Sequence, residues 1–79
     1  MKSEEAFAIV LKTFRVKRLL TQEKLAHKCE LDRTYISLLE RGMRKPTLAT
    51  IFALAEALNV KPSELVSETE KLIGLMTEI

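Results

Sequence analysis

Tryptophan is absent from this 79-residue chain, tyrosine occurs once and phenylalanine three times, and glycine and proline supply two residues each. So few aromatics and turn formers argue against a β-sandwich or barrel, and an apolar share of 47% argues against a disordered tail. Cysteine is confined to Cys29 and histidine to His27. No intrachain disulfide, zinc finger or clustered metal site follows from that pair, and the chain fits a reducing, cytosolic compartment with no cofactor. Long hydrophobic runs are missing as well. The least polar stretch, Pro46 to Val60, contains Glu56 and is shorter than the roughly 20 residues a bilayer demands. Near the start, Glu4 and Glu5 are followed by Lys12, Arg15, Lys17 and Arg18, which leaves no apolar core for a signal peptide.

What is present fits one all-α domain over residues 1–79. A chain this short buries only about 60% of its unfolded surface, so association is a natural source of further stability and a homodimer is expected. The net charge of +2 hides a division. Between Lys12 and Lys45, ten basic residues face four acidic ones, a net +6, whereas two lysines face five glutamates from Pro46 onward. The basic segment points to a surface that meets a polyanion.

Capping residues and 3.6-residue periodicity predict five or six helices. The first starts after an N-cap at Ser3, ends near Arg18, and carries Phe7, Val10, Leu11 and Phe14 at helical spacing. Thr21 caps a second, short helix with Leu25, Ala26 and Cys29 on one face. After a break at Cys29-Glu30-Leu31, Asp32 caps a third helix that stops at Gly42. Thr47 caps the fourth, whose Leu48, Ile51, Phe52, Leu54, Ala55 and Leu58 predict a buried hub. Asn59 suits a left-handed stop and Pro62 a new first turn. Ser67 and Glu70 have the spacing of a capping box, which predicts either a terminal helix or a continuation of the fifth.

The string TQEKLAHKCELDRTYISLLERG, Thr21 to Gly42, closely resembles the helix-turn-helix of the phage Cro and repressor family, the xenobiotic-response-element-like regulators. Gln at the start of its first helix, Leu-Ala in the middle, Tyr-Ile-Ser in the second and Glu-Arg-Gly at the end carry the likeness. Leu31 to Ser37, Leu-Asp-Arg-Thr-Tyr-Ile-Ser, is also similar to the controller proteins of restriction-modification systems. The resemblance implies a lambda-repressor-like five-helix domain with an additional or extended C-terminal helix, binding double-stranded operator DNA as a symmetric homodimer. Two residues depart from the family pattern: Leu19 and Glu30 stand where glycine is usual, and a left-handed backbone at either costs about 1–2 kcal/mol, which bears on the local turn geometry and not on the fold.

Helical geometry turns Ile36 and Leu39 of the third helix inward and leaves Arg33, Thr34, Ser37 and Leu38 on other faces. Arg33 has the fork to pair with guanine O6 and N7, and Thr34 offers a hydroxyl or a methyl to a base edge. Leu38 suits a thymine methyl or extra core packing. Arg41, Arg44 and Lys45 are placed to reach phosphates or an adjacent minor groove. The resemblance implies that Gln22 meets a phosphate at the second helix's N-terminus, that Tyr35 and Ser37 make further backbone contacts, and that Arg15 and Glu40 form a structural ion pair. Tyr35 has an alternative role as a cover for the core.

The segment 62–79 offers Leu65, Leu72, Ile73, Met76 and Ile79 either to the core or to a dimer seam, and the family resemblance favours the seam. Cys29 and His27 read as a core residue and a surface residue. The function implied is a transcription regulator, a controller protein acting on its own promoter being the sharpest form. The alternative is an antitoxin-type protein-interaction module of the same fold. An enzyme is not expected, because no nucleophile-base or metal constellation is recognisable.

Overall fold

Residues 1–77 are described by the structure, a computed structural model, and form five helices. These are α1 (Ser3–Lys17), α2 (Gln22–Cys29), α3 (Arg33–Glu40), α4 (Leu48–Leu58) and α5 (Pro62–Thr77). Among the described residues there is no strand. Three starts are capped as their side chains dictate: Thr21 accepts from the Lys24 amide, Asp32 from the Thr34 amide and Thr47 from the Thr50 amide, all at 3.0–3.1 Å. At α1 the N-cap is Lys2 rather than Ser3. Glu5 reaches back to accept from the Lys2 amide at 2.8 Å, and the Lys2 carbonyl accepts from Ala6, so the helix begins one residue earlier than the serine implied.

Four helix ends close in the same way. The amides of Leu20, Leu31, Met43 and Val60 donate to the carbonyls of Arg15, Ala26, Leu38 and Ala55, five residues back. Each closure requires the residue before it to turn left-handed, and these are Leu19, Glu30, Gly42 and Asn59, with φ between 56° and 71°. Only one is glycine. At Gly42 there is a second reason for the missing side chain, because a Cβ would sit 3.4 Å from the backbone of Glu5 on α1.

The core is assembled from one stripe of each helix: Leu11, Leu25, Ile36, Leu39, Leu54, Leu58 and Leu65 are fully buried. α1 packs on α3 and α5, α2 on α3 and α4, and α4 on α5. Cys29 lies half-buried, with its thiol 3.7 Å from the Ala53 carbonyl of α4. Desolvation raises its pKa above the usual thiol value, with Glu56 adding to the effect.

One further expectation is corrected. α4 is not buried on all sides: Leu54, Ala55 and Leu58 face the core, but Leu48 is 70% and Phe52 55% exposed. A helix flanked by α2 and α5 has part of its circumference left for water, whatever its composition. Of the two readings of the last segment the continuation holds: α5 runs unbroken from Pro62 to Thr77, so Ser67 starts no new helix and the amides beyond it already have partners.

Candidate nucleic-acid interface

The turn between α2 and α3 depends on Glu30, which takes the left-handed conformation at φ 56° and lets Leu31 return to the Ala26 carbonyl. Asp32 then starts α3 at once. α2 packs on α3, and Leu25 and Ala26 of the one and Ile36 and Leu39 of the other are buried in the common core. This leaves the opposite side of α3 open.

Arg33 and Thr34, in the first turn of α3, are exposed. Tyr35, Ser37 and Leu38 are half-buried, and Tyr35 packs partly against the core. Leu38 therefore stands between its two expected roles. Arg41, Arg44 and Lys45 are exposed beyond the end of α3. Arg41 donates to the Ser37 carbonyl at 3.4 Å, which lays its side chain back along the helix. Lys45 lies close enough to Glu4 of α1 to favour that carboxylate's charged form, although the backbone hydrogen bond to Glu4 is the main cause of its lowered pKa.

Beneath this surface Arg15 and Glu40 pair bidentately. Arg15 Nε donates to Glu40 Oε2 at 2.5 Å and Nη2 to Oε1 at 2.9 Å, while Nη1 donates to the Leu20 carbonyl at 2.8 Å. The Glu40 side chain is 3% exposed, so its charge depends on these partners. The same hydrogen bonds raise the Arg15 pKa above its ordinary value. Gln22 joins them: its Nε2 donates to Glu40 Oε1 at 3.1 Å. The resemblance had implied a phosphate contact for Gln22, and its bond to Glu40 was not foreseen. The signal was a glutamine at a helix start, with nothing in the string to say which carboxylate it faces.

The apolar residues expected at a dimer seam are scattered by the fold. Leu65 is fully buried in the protomer's own core and has no surface to offer a partner. Leu72 and Ile73 are half-buried and Leu72 packs against the core, whereas Met76 is exposed; Ile79 lies outside the described residues. Other exposed apolar residues include Leu48 and Phe52, one turn apart on α4, and Val66 and Leu75 on α5. Sequence reasoning had assigned the first two to the core. The available signal was that α4's apolar residues span a wider arc than one packing face can cover.

Among the described residues no group of three or more His, Cys, Asp or Glu side chains is placed to hold a metal ion, and no helix is long and apolar enough to cross a membrane.

Comparison with known proteins meets this geometry. Residues 11–65 match the family described as helix-turn-helix. Control protein C.BamHI of Bacillus amyloliquefaciens is 48% identical over 50 residues, which cover 63% of this chain and 62% of that protein. The match thus spans little more than three fifths of the relative's length. The crystal structure of the restriction-modification controller protein C.AhdI from Aeromonas hydrophila is similar at a TM-score of 0.77 and 40% identity, over 78% of this chain and 94% of that one. The controller protein C.Esp1396I, solved as a tetramer in complex with its natural 35 base-pair operator, has a TM-score of 0.81 and 32% identity, over 90% of this chain and 93% of that one.

Proposed function

The chain belongs to the helix-turn-helix family, and from that premise we propose that it is a sequence-specific DNA-binding transcriptional regulator, acting as a homodimer on operator DNA. The observation that carries the reading is the exposed first turn of α3, Arg33 and Thr34, on a helix anchored from beneath by the Arg15–Glu40 pair and flanked by the bases Arg41, Arg44 and Lys45. A recognition helix has to present donors to base edges without yielding, while nearby cations hold phosphates. Arg33 reads guanine, Thr34 a neighbouring base, and Ser37 and Leu38 extend the contact along the groove. Gln22, Tyr35, Arg41, Arg44 and Lys45 meet the backbone, and each cation that engages a phosphate steepens the salt dependence. The role calls for no catalytic residue or cofactor and is exercised in the cytoplasm.

The second copy is seated on the α4–α5 side, where Leu48, Phe52 and Val66 are exposed, rather than on Leu65. To read two half-sites, symmetric pairing there has to set the two copies of α3 about 34 Å apart, one turn of the duplex. The controller proteins among the relatives favour a gene-regulatory role within a restriction-modification system.

The test is fluorescence anisotropy with DNA from upstream of the protein's own gene and with a scrambled duplex, at about 50 and 200 mM salt. Preference for the upstream DNA that survives the higher salt is expected. Binding that ignores sequence and vanishes with salt would overturn the reading.

A further inference from the structure

Glu40 is the last residue of α3, and its carboxylate gathers donors from two other helices. Arg15 of α1 supplies two, and Gln22, the first residue of α2, supplies the third. Among the described residues, the Gln22 amide makes the one side-chain hydrogen bond that joins α2 to α3. The residues that these two helices bury in the core are all apolar, Leu25 and Ala26 of α2 and Ile36 and Leu39 of α3. Apolar contact fixes how closely two helices approach but, being non-directional, resists a small rotation or slide only through the fit of the side chains. A hydrogen bond to a charged, buried acceptor is directional and stronger than a neutral one.

We propose that Gln22 is a positioning residue, which through Glu40 holds the register of α3 against the start of α2 and so sets discrimination between DNA sequences. The proposal rests on the DNA-binding reading. A primary amide has two N–H groups, and Glu40 uses one. The other, with the open amides at the start of α2, is left for a phosphate. Gln22 therefore links the place where the backbone is gripped to the helix that reads the bases. A group that only touches a phosphate supports every sequence equally, and its loss weakens operator and unrelated DNA by the same factor. A group that holds α3 in register acts on base contacts alone, and its loss falls on the operator.

Gln22→Met tests this, because methionine keeps the length and the apolar stem but has no donor. In fluorescence anisotropy the ratio of upstream to scrambled affinity is expected to fall about tenfold, the scale of one hydrogen bond to a charged group. In the free protein, amide hydrogen exchange at Leu38 to Glu40 is expected to quicken several-fold while Leu65 to Thr69 of α5 stays unchanged. Equal loss on both duplexes, or an unaltered ratio, would overturn the proposal and leave Gln22 a phosphate contact or a bystander. Should the unmutated protein show no preference between the duplexes, the regulator reading fails, and exchange decides the coupling alone: unaltered protection in α3 overturns it. A general loss of protection that includes α5 would also overturn it, since that is the mark of a merely structural residue.

Discussion

α3 and α4 are neighbours in sequence, and they divide polar and apolar work in opposite ways. α3 is the more polar, with Arg33, Thr34, Tyr35, Ser37 and Glu40 among its eight residues, yet its inward face is complete: Ile36 and Leu39 are fully buried and Glu40 is paired. α4 has only Thr50 and Glu56 as polar residues among eleven, and still turns Leu48 and Phe52 to water. Solvated polar groups on α3 cost nothing in the free protomer and remain available for DNA. Apolar surface on α4 is a standing cost that only association removes. Composition thus says how much a helix has to bury, while packing decides whether the protomer or a second copy buries it.

The sharpest way to break that contrast is to unseat α3. Arg15→Ala leaves Glu40 buried without its charge partner, which is expected to cost about 3 kcal/mol. The melting temperature should fall by more than about 10 °C in a calorimetric or circular-dichroism melt; an unchanged melt would mean that the pair anchors nothing. Phe52→Glu attacks the other side. Losing a ring worth about 2 kcal/mol from each protomer, and placing a carboxylate in the seam, should weaken dimerisation at least 100-fold in sedimentation equilibrium while the helical content is retained. A dimer of undiminished strength would place the seam elsewhere.

Arg33→Ala is expected to reduce discrimination between upstream and scrambled DNA by about 1–3 kcal/mol, read by anisotropy, with dimerisation untouched. Equal loss on both duplexes would reduce Arg33 to a phosphate contact. The smallest change is Glu30→Gly, which relieves a left-handed glutamate and should stabilise the chain by up to about 1 kcal/mol once glycine's own entropy is counted. Sequence discrimination should not change, because the turn keeps its shape. A lower melting temperature would show that Glu30 makes a contribution beyond its backbone.

The parts legible in the string were those governed by a few adjacent residues. Thr21, Asp32, Thr47 and Asn59 announced helix ends, since a cap needs only its own side chain and the next few amides. Leu19 and Glu30 stood out only through the family likeness, as residues where glycine is usual, and both take the left-handed conformation. The Arg15–Glu40 pair, separated by 25 residues, was legible only through family likeness. Lys2 displaced Ser3 because the Glu5 carboxylate served the cap from within the helix, and the choice between the two readings at Ser67 fell to a helix already under way. Leu65 and Phe52 exchanged their expected places, because the choice between core and surface for an apolar residue on an amphipathic helix is made by the angle at which its neighbours pack. Gln22 meeting Glu40 depends on the same angle.

Cys29 offers a use unrelated to the protein's own activity. Its thiol lies between α2 and α4, near the Ala53 carbonyl, and burial holds its pKa above the ordinary thiol range. A thiol reagent attacks the thiolate, so partial burial and the raised pKa both slow modification in the folded protein. The rate at which the native protein is alkylated thus becomes a clock for the surroundings of Cys29 beside α4, with no engineered label needed. Compared with and without DNA, that clock would report whether gripping the duplex also locks the far side of the helix-turn-helix.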